Sequence, residues 1–155
     1  MIAPVDDVDR IMTVMESAFD PAFGEAWSRR QLTDALCSAS CHYQLVDASG
    51  RHPEEGVGAA GFALSRGGYG EEELLLLAVD PRWRRRGLGG AMLAALVAAA
   101  RSRGARRLLL EMRRGNPAEP LYRYFGFTPV GERPNYYSGR DGERIDAITF
   151  ARDID

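Results

Sequence analysis

A single mixed α/β domain is what this sequence predicts, on three observations. Leu74-Leu75-Leu76-Leu77-Ala78-Val79 is a nearly continuous apolar run, the pattern of a strand covered on both faces. Residues 88 to 103 follow a glycine turn, are rich in Ala and Leu, and end at Gly104, which reads as a strong helix. Arg107 to Met112 then makes a second buried strand. Strand, turn, helix and strand in that order build an α/β core. The 155 residues suit one domain with its own core, and no repeat, linker or low-complexity segment divides them.

The remaining elements follow in chain order. Val8, Ile11, Met12, Met15 and Phe19 have helical spacing, with Asp6 or Asp7 as the expected cap. A loop of small and aromatic residues runs from Asp20 to Trp27. Ser28 caps a second helix reaching about Ser38, with Gln31 completing a capping box. His42 to Asp47 and Gly56 to Ser65 read as strands, and Gly67-Gly68-Tyr69-Gly70 as a hairpin signal into the central strand from Glu73 to Val79. After the strand at 107 to 112, a short helix spans about Pro117 to Tyr124 and stops at Gly126. Phe127 to Arg133 and Arg144 to Phe150 close the chain as strands.

Composition removes several classes of function. A net charge of -2 gives no general attraction to nucleic acid or an anionic membrane, so neither is expected as a partner. No apolar stretch approaches the roughly eighteen residues of a membrane span. The N-terminus lacks a basic region followed by an apolar run, so a cytoplasmic protein is expected. Cys37 and Cys41, four apart, could share a helix face, but only His42 and His52 are available to complete a metal site; two reduced thiols and no metal are expected.

The chemistry begins after the central strand. Asp80-Pro81 ends it, and Arg84-Arg85-Arg86-Gly87-Leu88-Gly89-Gly90 opens the long helix. Free N-H groups and the macrodipole at a helix start favour an anion, and glycines let the backbone approach it. The arginines add charge and paired donors. A Walker loop would need Lys, of which this chain has none, its twenty basic residues all being Arg. The glycines lack the Gly-x-Gly-x-x-Gly spacing of a dinucleotide loop. A solvated charge run is the remaining alternative, and the strand before and helix after favour a phosphate site.

That segment resembles the acyl-CoA signature of the GCN5-related N-acetyltransferase (GNAT) superfamily, Arg/Gln-x-x-Gly-x-Gly/Ala. The resemblance covers nearly the whole chain. It implies a mostly antiparallel sheet of six to seven strands, a splayed parallel pair and about four flanking helices. It further implies acetyl-CoA as cofactor, its pyrophosphate held by Arg84 to Gly90 and its pantetheine by the backbone of Leu77, Ala78 and Val79.

Within the superfamily the chain resembles the ribosomal-protein-alanine N-acetyltransferases. The residues are Leu110-Glu111-Met112-Arg113, Asn116, Leu121-Tyr122, Gly126-Phe127, Asn135-Tyr136-Tyr137 and Asp146-Ala147-Ile148. Amine acetylation requires deprotonation of the amine, stabilisation of the oxyanion and protonation of the thiolate. The resemblance implies Glu111 as general base through water, Tyr122 as general acid and Asn116 as a cofactor ligand. The Asn116–Tyr122 stretch is one residue shorter than the family's. Glu73 is a rival base or amine ligand: some members of the superfamily use an acid before the central strand, and by period two Glu73, Leu75, Leu77 and Val79 share one face. Trp27, Tyr136 and Tyr137 are expected to border a peptide acceptor.

An α-amino group titrates near 7.7 to 8.0 and Lys near 10.4, so a modest carboxylate base suits an N-terminus better, by about 3 to 4 kcal/mol. The expected activity is acetylation of the N-terminal residue, alanine, of a ribosomal protein. Transfer to a small amine or antibiotic, and a silent acyl-CoA-binding module, are the alternatives.

Overall fold

A computed structural model describes residues 5–155, with side chains from Asp7 onward. Its strands are β1 (Cys41–Val46), β2 (Gly61–Gly68), β3 (Glu71–Val79), β4 (Arg107–Arg113), β5 (Thr128–Ser138) and β6 (Arg144–Asp153). They form one sheet in the order β1-β2-β3-β4-β6-β5. All neighbours are antiparallel except β3 and β4. The helices are α1 (Val5–Ala18), α2 (Arg29–Leu36), α3 (Leu88–Ser102) and α4 (Glu119–Tyr124), with one-turn 3-10 helices at Pro21–Phe23 and Pro81–Trp83. Six strands, four α-helices and one parallel pair match the expected architecture.

The sheet separates two cores. On one face, Val8, Ile11, Met12, Val14 and Met15 of α1 and Leu32 and Leu36 of α2 pack on Leu45, Phe62, Leu64, Leu76 and Ala78. On the other, Met92, Leu93, Leu96, Val97 and Ala100 of α3 pack on Leu74, Leu108, Leu110, Met112 and Phe150. Burying both faces of β3 and β4 explains their apolar runs.

The capping box of α2 is formed as expected: Ser28 accepts from the Gln31 N-H, and the Gln31 side chain accepts from the Ser28 N-H. Helix α1 instead begins at Val5, so Asp6 and Asp7 lie within it and its cap falls outside the described residues. Asp7 is buried and accepts from the Tyr43 hydroxyl at 2.6 Å and from Arg10 at 3.1 Å. Strand β2 starts at Gly61 rather than Gly56. Arg10 binds the carbonyls of Glu54 and Val57, which holds the preceding segment away from the ladder. The hairpin turn narrows to Tyr69-Gly70, both at positive φ (56° and 78°), the geometry of a two-residue primed turn. Cys37 caps α2 and Cys41 opens β1, so they share no helix face, and both are free.

One irregularity corrects the expected face of β3. Leu64 pairs with Leu76 and Ser65 with Leu74, so Leu75 is an extra residue in β3. A bulge shifts the side-chain alternation. Leu77 and Val79 therefore pack toward α3, whereas Leu76 and Ala78 face α1 and α2. Glu72 is bound by Arg103 at the end of α3, which puts Glu73 on the opposite face. Glu73 thus does not share a face with Leu77 and Val79.

Candidate active site

The parallel ladder between β3 and β4 is short. It joins Glu71–Leu74 to Arg107–Leu110 and stops there. Beyond it the strands splay, leaving the β4-facing edge of Leu75 to Val79 without ladder partners. This edge suits the amides of a pantetheine arm. Both strands stay anchored on their outer sides, to β2 and β6.

Helix α3 starts at the mouth of the splay. Its N-cap, Gly87, has φ 79°, and no side chain caps the helix. Arg85 also has positive φ, 64°. Alternation of this kind turns successive N-H groups to one side and forms an anion nest. A side chain at Gly87 would meet nothing within 4 Å, so the space above the turn is open. These features fit a pyrophosphate. Gly89 and Gly90 have a different use. A Cβ there would lie 3.2 Å from Leu121 and 3.3 Å from the Phe125 ring, so these glycines let α4 pack against the start of α3.

The three arginines are not equivalent. Arg84 donates to the Val79 carbonyl at 3.2 Å and the Ala18 carbonyl at 3.0 Å, tying the turn to the strand end and to α1. Arg86 stacks 4.9 Å from the centre of the Trp83 ring. Among the described residues Arg85 has no hydrogen bond or ion pair with protein.

Glu111 is the first residue of β4 past its last pairing with β3. Leu110 and Met112 point into the α3 core, so Glu111 points to the α1–α2 side. Its side chain is 21% exposed, enough to reach solvent while remaining enclosed. Thr149, opposite it on β6, donates to Oε2 at 3.4 Å, and Arg133 Nε lies 3.1 Å from the same oxygen.

Tyr122 lies on the other face of the sheet, in the α3 core, with its ring edge-on to Phe127 at 6.0 Å. Burial, with the Glu25 charge added, drives its phenol well above the ordinary tyrosine value. No protein group hydrogen-bonds its hydroxyl among the described residues, yet no polar atom there is both sealed and unpartnered. The hydroxyl therefore keeps some contact with solvent. Asn116 Oδ1 accepts from the Ala118 N-H at 2.8 Å, and proline occupies the first turn of α4. The Asn116 amide N-H groups remain available as donors.

On the acceptor side, β5 departs from the expected loop. Arg133 pairs with Ala147 and Tyr137 with Ile145, so two extra residues bulge from the strand. Asn135 takes φ 58° in this bulge, and its N-H donates to Asp146 Oδ1 at 2.9 Å. Tyr137 is carried inward, where burial and then the charges of Glu111 and Glu25 push its phenol up to about 12. Tyr136 stays half-exposed against it, edge-on at 5.0 Å.

Trp27 packs into the α1–α2 core just before the Ser28 cap. The residue of that loop that reaches the site is Glu25, hydrogen-bonded by Arg113 at 3.3 Å with both side chains about one-seventh exposed. Arg113 also lies 3.7 Å from the centre of the Phe23 ring. The Leu-Glu-Met-Arg run included Arg113, but nothing local in the sequence paired it with a residue 88 positions away. Glu73 is in an exposed ion pair with Arg66 at 3.3 Å. Among the described residues no cluster of His, Cys, Asp and Glu is placed to hold a metal, and no helix is long and apolar enough to cross a membrane.

A splayed parallel strand pair beside an uncapped, glycine-led helix start is the architecture of an acetyltransferase fold. The chain belongs to the acetyltransferase (GNAT) family, whose model matches residues 9–127. Within that family it is similar to the ribosomal protein bS18-alanine N-acetyltransferase of Escherichia coli strain K12, 42% identical over 96 residues, which cover 61% of this chain and 64% of that protein. The enzyme of that name from Haemophilus ducreyi is 37% identical over 58% of this chain and 63% of its own. The chain thus spans a little under two thirds of the length of these curated relatives. In three dimensions it is similar to the crystal structure of the Escherichia coli enzyme, with a TM-score of 0.82 and 31% identity over 99% of this chain and 92% of that one. Arabidopsis thaliana NAA60 crystallised with acetyl-CoA has a TM-score of 0.77 at 19% identity, a likeness of fold.

Proposed function

We propose that this chain acetylates the α-amino group of a ribosomal protein's N-terminal residue, alanine, with Glu111 as base and Tyr122 as acid. The observation that carries the reading is the end of the β3–β4 ladder at Leu110, which leaves Glu111 at the mouth of the splay. Bound acetyl-CoA would supply the electrophilic thioester carbonyl. Its pyrophosphate fits the Arg85–Gly90 backbone, and its pantetheine amides fit the free edge of Leu77 to Val79, with Asn116 as a further donor.

Glu111 would take the ammonium proton through a water molecule, a modest task for an α-amine that is partly neutral near pH 8. Tyr122, kept protonated by its buried site, would supply the proton on the sulfur side. Glu111 lies on the α1–α2 side of the sheet and Tyr122 in the α3 core, so the two proton tasks fall to separate groups. Tyr136 and Tyr137 on the β5 bulge and the Asp20–Trp27 loop border the acceptor. Glu73 lies inside the paired part of the β3–β4 ladder, opposite Leu109, and is the less suited base.

Mass-spectrometric assay of peptides that begin with alanine is the test. Acetylation at the α-amine is expected, with Glu111→Gln lowering kcat by about 100-fold or more and Tyr122→Phe by at least about 10-fold. Transfer only to small amines, or unchanged kcat in both variants, would refute the assignment.

A further inference from the structure

The pair formed by Arg133 and Glu111 differs from the other ion pair in the site. Arg113 and Glu25 are hydrogen-bonded, and both are largely enclosed. Arg133 Nε stands 3.1 Å from Glu111 Oε2 without forming a directed hydrogen bond, and the Arg133 side chain is 61% exposed. The contact is made to one carboxylate oxygen. The Arg133 guanidinium also lies 5.1 Å from the centre of the Tyr136 ring.

Sequence and register explain the reach. Gly131 faces Thr149 on β6, and Thr149 faces Glu111 on β4. Arg133 is two residues beyond Gly131 and so on the same face. With no side chain at Gly131, the guanidinium can cross over β6 to the carboxylate.

We infer that Arg133 is a displaceable counter-ion for Glu111, occupying in the resting enzyme the place that the acceptor's ammonium group and its bridging water would take. The inference rests on the reading of Glu111 as the group that receives the acceptor amine. An enclosed carboxylate with one long hydroxyl contact needs a positive partner. Arg133 provides it until a cationic acceptor arrives. Two cations at one carboxylate repel, and the more exposed one leaves. Arg133 is therefore a positioning residue that sets the affinity for a charged acceptor, and takes no proton itself.

Steady-state kinetics with a synthetic peptide bearing N-terminal alanine test this. Arg133→Gln should lower the acceptor KM by about two- to five-fold, the range an exposed ion pair supplies, and leave the acetyl-CoA KM unchanged. Arg133→Lys, which keeps the charge, should retain the wild-type acceptor KM. In a Glu111→Gln background the Arg133→Gln change should have no further effect on acceptor KM. An acceptor KM that rises or stays constant in Arg133→Gln overturns the inference, as does the same fall in the absence of Glu111. Full kcat in Glu111→Gln alone is a separate outcome: it removes Glu111 as base, whereas the KM comparison reports on the counter-ion.

Discussion

The opposite proton duties proposed for Glu111 and Tyr122 follow from their different surroundings. The carboxylate touches a hydroxyl and a guanidinium and reaches water. The phenol is buried and stands near the negative charge of Glu25, and both disfavour the phenolate. An acid loses its function as pH rises through its pKa, so raising that pKa moves the loss to higher pH. With saturating substrates, kcat is therefore expected to show no descending limb below about pH 10, where an unperturbed phenol titrates. A limb centred near pH 8 to 9 that vanishes in Tyr122→Phe would refute this. Tyr137, pushed up to about 12, likewise stays a hydrogen-bond donor throughout that range.

Elements matter here through their ends and irregularities. The start of α3 is the proposed phosphate site, and Gly87 gives it its shape, with φ 79° and open space beside it. Ala at this position would be strained by about 1 to 2 kcal/mol. Gly87→Ala is expected to raise the acetyl-CoA KM several-fold and leave the acceptor KM unchanged, which separate titrations of the two substrates would show. Two of the strand bulges also act at this scale. The one at Leu75 turns Leu77 and Val79 toward α3, and the one between Arg133 and Tyr137 brings a tyrosine inward over Glu111.

At the scale of the molecule, a buried charge joins the sheet to α3. Glu72 is 1% exposed and bound by Arg103 through Nε at 3.0 Å and Nη2 at 2.5 Å, with the Ser65 hydroxyl at 2.7 Å. Burial alone would raise its carboxyl, but these hydrogen bonds and the Arg103 charge outweigh it and hold the group below its ordinary value. A lowered carboxyl contributes stability above the unfolded-state pKa and loses it as pH falls through the folded value. Glu72→Gln should therefore destabilise the protein by about 2 to 3 kcal/mol at neutral pH, with the difference from wild type shrinking in acid. Urea unfolding at pH 7 and below pH 4 would measure both; an equal loss at the two pH values would contradict the assignment.

Local rules determined much of this protein. The α2 capping box, the apolar runs of β3 and β4, the Ala-rich α3 and the glycine turn before it were legible because each depends on neighbours a few residues apart. The motifs also placed Glu111 and Tyr122 on the correct elements. Tertiary structure decided the rest. Where the β3–β4 ladder stops, which face follows the Leu75 bulge, and that Arg133 and Arg113 meet Glu111 and Glu25 all depend on pairing between distant strands and loops. The roles of single glycines divided in the same way. Gly87 serves the turn itself, whereas Gly89 and Gly90 make room for α4, a helix the chain reaches some thirty residues later. A sequence records spacing along the chain, and only packing sets distance across it.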